Sequence, residues 1–261
     1  MKLCLGTAQF GLNYGISNKA GKVAYEEVEK ILDYCNNQRI YTIDTAQAYG
    51  ESEKILGSFN LSNFRVITKI AHTGKIEDSL ENLKLSSLYG ILLHNENEID
   101  INWQRLVDYK SQRLVKKIGV SVYSPDKLSS IIDKYPIDIV QLPLNILDQR
   151  FLFLLDKLKD KNIEVFVRSI FLQGLLLMDF CQVSDYFNPI KPILSKLPHD
   201  KLGFALNFVK NIDEIDGIVF GVTSKQELEE ICTAYHKKTF NYSEYSVDDE
   251  NMINPSMWRH L

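Results

Sequence analysis

Asp44, Tyr49, Lys69 and His94 are side chains whose types and spacing suit acid–base chemistry. Asp44 closes the run YTID, Tyr49 follows in AQAYGE, Lys69 stands near the end of RVITKI, and His94 follows GILL. A phenol titrates near about 10, so it donates a proton poorly at neutral pH. An ammonium about 4 Å away favours the phenolate by at most roughly 4 kcal/mol at an effective dielectric near 20. That is up to roughly three pKa units, enough to bring the phenol to about 7. A carboxylate beside the lysine keeps it charged and fixed while tempering the shift, and an imidazole can orient a carbonyl oxygen. The set suits protonation of an alkoxide as it forms, which reduction of a carbonyl requires. Singly, each residue also has a structural explanation: Asp44 as an N-cap, Tyr49 as a packing ring, Lys69 as a solvated strand end, His94 as a core histidine. Two other chemistries compete. Lys69 as a Schiff-base amine, as in an aldolase, needs a depressed pKa that an adjacent Asp44 opposes. A nucleotide-binding regulatory protein would keep the same residues with slow turnover.

The elements that must position these groups are legible as eight short apolar, β-branched runs: KLCLGT (2–7), YTIDTA (41–46), RVITKI (65–70), YGILLHN (89–95), KIGVSVY (117–123), IDIVQLPLN (137–145), IEVFVRSIF (163–171) and GIVFGV (217–222). Most are continuous rather than alternating, as in parallel strands covered on both faces. Between them, Val28, Ile31, Leu32 and Cys35 follow helical spacing, as do Leu128, Ile131, Ile132 and Tyr135, and Leu228, Ile231, Cys232 and Tyr235. Ser124 with Pro125, and Ser224, supply helix starts. Further helices are expected over 76–86, 99–116, 149–162 and 201–211, with an elaborated loop over the proline-containing stretch 178–200. Eight strand–helix units in 261 residues average about 33 residues each, close to one βαβ step. No linker or composition shift divides the chain, and no G-x-G-x-x-G follows the first run. The expected fold is an α/β (β/α)8 TIM barrel, one domain over 1–261, with Asp44, Lys69 and His94 at the C-terminal ends of its second, third and fourth strands and Tyr49 in the loop after the second.

Bulk properties narrow the function. A net charge of −4 gives no electrostatic reason to expect nucleic acid. The longest apolar stretch, IFLQGLLLM (170–178), is far below the roughly 18 residues of a membrane span. The start MKLCLGTAQFG lacks a signal-peptide core, so a cytoplasmic protein is expected. Four scattered cysteines without a C-x-x-C pair read as reduced thiols. HNENE (94–98) offers a histidine and two carboxylates, but Glu96 and Glu98 are expected on a solvated loop; His72, His199, His236 and His260 lack spaced partners. No metal site is expected.

IDTAQAYGESEKILG (43–57), ITKI (67–70) and LLHN (92–95) resemble the signatures of the aldo-keto reductase family, including its Asp–Tyr–Lys–His tetrad. LGTAQFG, GVSVYSPDKL, VQLPLN, FLQGLL and GVTSKQELEE resemble further family segments, in family order and over nearly the whole chain. The resemblance implies a small-molecule carbonyl substrate, with NADP(H) or NAD(H) as hydride donor, in a monomer or weak homo-oligomer. By position it implies Gly6, Thr7 and Asp44 flanking the nicotinamide, and Ser121 and Gln141 binding its carboxamide. Ser169, Phe171, Gly174 and Leu175 would wrap the pyrophosphate; Gly221, Thr223, Lys225 and Glu230 would meet the adenosine. Arg168 stands where the family often offers a stacking aromatic. A guanidinium can stack, bind an anionic substrate or pair with a rim carboxylate. Val122 replaces the usual Asn, Ile231 the adenine-facing Asn, and Glu227 a usual Gln or Arg. Glu227 would repel a 2′-phosphate unless Lys225 compensates, which leaves NADH, NADPH or both open. The substrate loops look short, which suits an open pocket and a polar, sugar-sized substrate. Trp258, in the tail NPSMWRHL, either covers the pocket or packs on the outer wall.

Overall fold

In the computed structural model, which describes residues 2–235 and 245–258, eight parallel strands close into a cylinder. They are β1 (Leu3–Gly6), β2 (Thr42–Asp44), β3 (Arg65–Ile70), β4 (Leu88–Leu93), β5 (Val115–Ser121), β6 (Ile139–Pro143), β7 (Glu164–Arg168) and β8 (Gly217–Gly221), in sequential order, with β8 returning to β1. The larger helices are α2 (Tyr25–Gln38), α5 (Ile99–Ser111), α6 (Pro125–Lys134), α9 (Lys201–Lys210) and α10 (Lys225–Ala234), with α1 (Ala8–Gly11), α3 (Ser52–Leu56), α4 (Ile76–Leu83), α7 (Leu155–Asp160), α8 (Lys191–Leu194) and α11 (Glu250–Ile253) completing the set. The (β/α)8 barrel expected from the run of apolar segments is the fold. Ser124 and Ser224 accept hydrogen bonds from the N–H groups of Lys127 and Glu227, as their N-cap positions require.

The strand register explains how the site is aimed. Successive side chains of a strand point to opposite faces. Leu5, Val66, Ile91, Val140, Val167 and Ile218 face outward into the large core under the helices. Cys4, Ile67, Leu92, Ile139, Phe166 and Val219 face inward and form a separate apolar plug. Two residues further along each of these strands, the next inward positions are Gly6, Lys69, His94, Gln141, Arg168 and Gly221. Asp44 stands level with Gly6, and Ser121 level with Gln141. One period-2 pattern, repeated round the cylinder, therefore lays polar residues on an apolar floor.

Several sequence expectations shift. The helix expected to reach Lys116 ends at Ser111, because Arg113 takes a left-handed turn (φ 61°) and the chain enters β5 at Val115. The helix expected over 149–162 begins as a 3-10 turn at Leu152–Leu154 and becomes α-helical at Leu155. The stretch 178–200 holds 3-10 turns at Phe180–Gln182 and Asp185–Phe187 before α8. His236 and His260 lie outside the described residues. Trp258 is buried on the outer side: its ring meets Phe187 edge-on at 4.9 Å and its indole N–H donates to Asn251 O. Among the described residues no helix is long and apolar enough to cross a membrane.

Candidate active site

At the C-terminal rim, Lys69 and Asp44 form a buried ion pair. Lys69 Nζ lies 2.7 and 2.6 Å from the two Asp44 oxygens and 3.0 Å from Thr45 O. Burial disfavours the ammonium, but Asp44 and Tyr49 outweigh it and hold Lys69 above the ordinary lysine range. The Gln141 amide donates to Asp44 Oδ1 at 2.8 Å from the far side of the barrel. Lys69 donates to the Tyr49 hydroxyl at 3.3 Å.

Tyr49 sits on a loop that is clamped rather than merely adjacent. Gly50 adopts φ +58°, and a Cβ on Gly11 would lie 1.7 Å from Tyr49 O, so the β1 and β2 loops touch backbone to backbone. Glycine is needed at both points. Behind the loop, Ser52 Oγ lies 2.8 Å from Thr7 Oγ1 and 3.2 Å from Thr45 Oγ1. Thr7 in turn donates to Asp44 O through both its N–H and its hydroxyl, each at 3.0 Å. These buried hydroxyls, of which the sequence reading named only Thr7, tie the ends of β1 and β2 to the start of α3.

The electrostatics depart from the sequence expectation in one respect. Burial pushes the Tyr49 phenol above its ordinary range and outweighs the pull of Lys69, whose charge Asp44 largely cancels. The phenol is thus a neutral acid, not one poised near 7. His94 faces Tyr49 edge-on, with ring centroids 5.9 Å apart. Burial, reinforced by Lys69 and Arg168, pushes the imidazole down to about 4, so it is neutral at pH 7 with one N–H to offer.

A cavity of about 750 Å³ opens over this group. It is lined by all four candidate catalytic residues and by Gly6, Thr7, Ser121, Gln141 and Arg168; further out it meets Ser169, Phe171, Gly174, Gly221, Thr223 and Glu230. Leu175 and Lys225 are not in the lining. Leu175 turns into the core, and Lys225 pairs with Glu229 at 2.8 Å. Lys225 therefore does not offset Glu227, whose carboxylate accepts from the Thr223 N–H at 2.6 Å. Sequence reading missed Tyr14, Tyr123 and Gln173, which also line the cavity. Tyr123 directly follows a recognisable strand, but the placement of 14 and 173 depends on loops meeting across the rim, where Ser17 donates to Gln173 O. Glu96, expected on a solvated loop, is buried and accepts from the Tyr123 N–H. Among the described residues no cluster could hold a metal ion.

The donor set fits a nicotinamide dinucleotide. Gln141 Oε1 is buried with no hydrogen-bond partner among the described residues and lines the cavity, an acceptor of the kind a carboxamide would need. After β7, Ser169, Leu172, Gln173 and Gly174 all have positive φ, and the tight turns they make bond the Leu172 N–H to Ser169 O and the Gly174 N–H to Phe171 O while bringing the main chain to the cavity wall. Non-glycine residues adopt such angles at a cost of order 1–3 kcal/mol each, so the surroundings must enforce them.

Solved structures share this architecture. Aldo-keto reductase AKR11C1 from Bacillus halodurans, in its holo form, superposes with a TM-score of 0.75 at 19% identity over 94% of this chain and 89% of its own. A putative aldo-keto reductase from Pseudomonas aeruginosa gives 0.71 at 18% identity, over 90% of this chain and 89% of that one. No curated protein matches the sequence significantly. At these identities the structures speak for the fold. Residues 2–250 match the model of the aldo/keto reductase family, and the chain belongs to that family.

Proposed function

We propose that the protein reduces an aldehyde or ketone to the alcohol with NADH or NADPH, using Tyr49 as general acid. The observation that carries this reading is the Tyr49 hydroxyl held 3.3 Å from a lysine that Asp44 pins at 2.6 Å, at the mouth of a dinucleotide-sized cavity. A bound nicotinamide dinucleotide supplies the hydride and leaves oxidised. Gln141 and Ser121 would hold its carboxamide, the 169–174 loop its pyrophosphate, and Thr223 and Glu230 its adenosine end. Neutral His94 donates a hydrogen bond to the carbonyl oxygen and fixes its direction. Tyr49 gives its proton to that oxygen as negative charge gathers there. Lys69 then stabilises the phenolate left behind, which is why a phenol too weak at rest serves in the transition state. Because Lys69 is held protonated, it makes a poor Schiff-base nucleophile. Free thiols at Cys4, Cys35, Cys181 and Cys232 suit a reducing, cytoplasmic setting.

The test is cofactor oxidation on a panel of aldehydes and ketones, with wild type and Tyr49→Phe. Wild type should oxidise NADH or NADPH, while the variant loses about 10²–10⁴-fold in kcat and still binds the cofactor. Tight cofactor binding without turnover on any substrate would favour a regulatory nucleotide-binding role instead.

A further inference from the structure

Arg168 is the charged group at the reaction centre that the proposed chemistry leaves unemployed. Its guanidinium lies 3.9 Å above the Tyr123 ring. One edge donates to Val122 O at 3.0 Å, with a long contact to Ser169 Oγ at 3.4 Å. No described carboxylate forms an ion pair with it, so the rim pairing that would explain it structurally does not occur. Five N–H donors in a fixed fork thus have two protein partners, one of them marginal.

Its direction matters. The bond to Val122 O draws the side chain from β7 across to the end of β5, beside Ser121 and toward His94, rather than toward the start of α10 where Glu227 and Glu230 stand. Its charge is felt by both His94 and Tyr49. Lys69, the neighbouring cation, is neutralised by Asp44 at 2.6 Å. Arg168 therefore presents positive charge and free donors to the carbonyl-binding end of the cavity; buried Glu96 feels that charge but forms no ion pair with it. With a face covered by Tyr123, it is held in orientation and recognises an oxyanion through its edge.

We propose that the substrate is a carbonyl compound bearing a carboxylate or phosphate a few bonds from the carbonyl, and that Arg168 binds that anion. The assignment rests on the reductase reading above and narrows its substrate class. Tyr14, Tyr123 and Gln173 line the same space and supply neutral polar partners.

Matched pairs test it: 4-oxobutanoate against butanal for carboxylate, and glyceraldehyde 3-phosphate against glyceraldehyde for phosphate, at saturating cofactor. Wild type should favour the anionic member of at least one pair by about tenfold or more in kcat/KM, the size of a charge-assisted hydrogen bond. Arg168→Gln should collapse that ratio toward one, and Arg168→Lys should restore part of it. Which pair responds identifies the anion. Turnover of all four compounds with no anionic preference overturns the proposal and leaves the reductase reading standing. So does a preference that survives Arg168→Gln, and so does a variant that weakens cofactor binding alone, which would assign Arg168 to the dinucleotide. If no compound oxidises the cofactor, calorimetric titration with 4-oxobutanoate and glyceraldehyde 3-phosphate decides. Binding that Arg168→Gln abolishes supports the anion site without the reductase; absence of binding overturns both.

Discussion

The two sides of the barrel rim solve different problems. On the β1–β4 side, Asp44, Thr45, Thr7, Ser52 and Lys69 bond one another at 2.6–3.2 Å, and the Tyr49 loop is clamped to its neighbour by close glycine contacts. On the β5–β8 side, among the described residues, Gln141 Oε1 has no partner, Arg168 makes no ion pair with a carboxylate, four of six residues from 169 to 174 have positive φ, and Glu227 faces the cavity without an ion pair. One side is complete in itself; the other keeps donors and acceptors unused by the described residues. Groups that act on the reacting atoms must be preorganised, because reorienting them during reaction costs part of what they contribute. Groups that hold a ligand are left with open valences that the ligand fills.

The sharpest way to break the closed side is to remove one partner of its ion pair. Lys69→Met leaves Asp44 buried and uncompensated, and should cost about 3–5 kcal/mol of stability as well as all measurable turnover. Adding Asp44→Asn should restore most of the urea midpoint while activity stays lost. Full loss of stability in the double variant as well would mean that the methylene packing of Lys69, not the charge, is what the fold needs.

A milder break leaves every charge in place. Gly11→Ala inserts a Cβ where the Tyr49 carbonyl now lies 1.7 Å away, so the Tyr49 loop must retreat. A displacement near 1 Å at the reacting group costs about 100-fold in kcat. Cofactor affinity should change far less, since Gln141, Ser121 and the 169–174 loop are untouched. Equal losses in both quantities would show that the two sides are not separable.

How much of this was legible in the sequence follows the same division. Asp44, Lys69 and His94 are single letters at the ends of strong apolar runs, so strand periodicity brings them to one rim, and Tyr49 follows in the loop after β2. Gly6, Ser121, Gln141, Arg168 and Gly221 are placed by the same alternation. Leu175 and Lys225, expected at the cofactor, do not line the cavity with their side chains, because family position fixes a backbone site and not the side-chain direction, which is set by core packing in one case and by Glu229 in the other. The charge state of Tyr49 was also misread. Attraction to Lys69 and its tempering by Asp44 can be reckoned from sequence, whereas burial, the larger effect, cannot. Glu96 escaped for a similar reason: a carboxylate amid Asn and Glu looks solvated until the Tyr123 N–H folds onto it.

The neutral imidazole gives a pH test of the closed side. His94 is held at about 4 against an ordinary 6.5, so the unfolded chain binds its proton first on acidification. Its contribution is present above pH 6.5 and is lost as pH falls toward 4. At pH 5 this should amount to about 1–2 kcal/mol relative to pH 8. His94→Gln should flatten the fall of Tm between pH 7 and pH 5, and an unchanged slope would place the imidazole in solvent.

The smallest expected effect sharpens the open side. Glu227 is exposed, lines the cavity and accepts from Thr223 N–H, while Glu230 lies near it on the same helix and Lys225 is engaged with Glu229. A 2′-phosphate arriving there meets negative charge, so wild type should bind NADH more tightly than NADPH. Glu227→Gln removes one exposed charge, and solvent screening limits its influence to about threefold in the ratio of the two dissociation constants. The shift should shrink further at high ionic strength, because an exposed charge acts through a screened field. A ratio that does not move at low salt would mean that Glu227 is spent on capping its own helix and that the ribose lies elsewhere along the cavity.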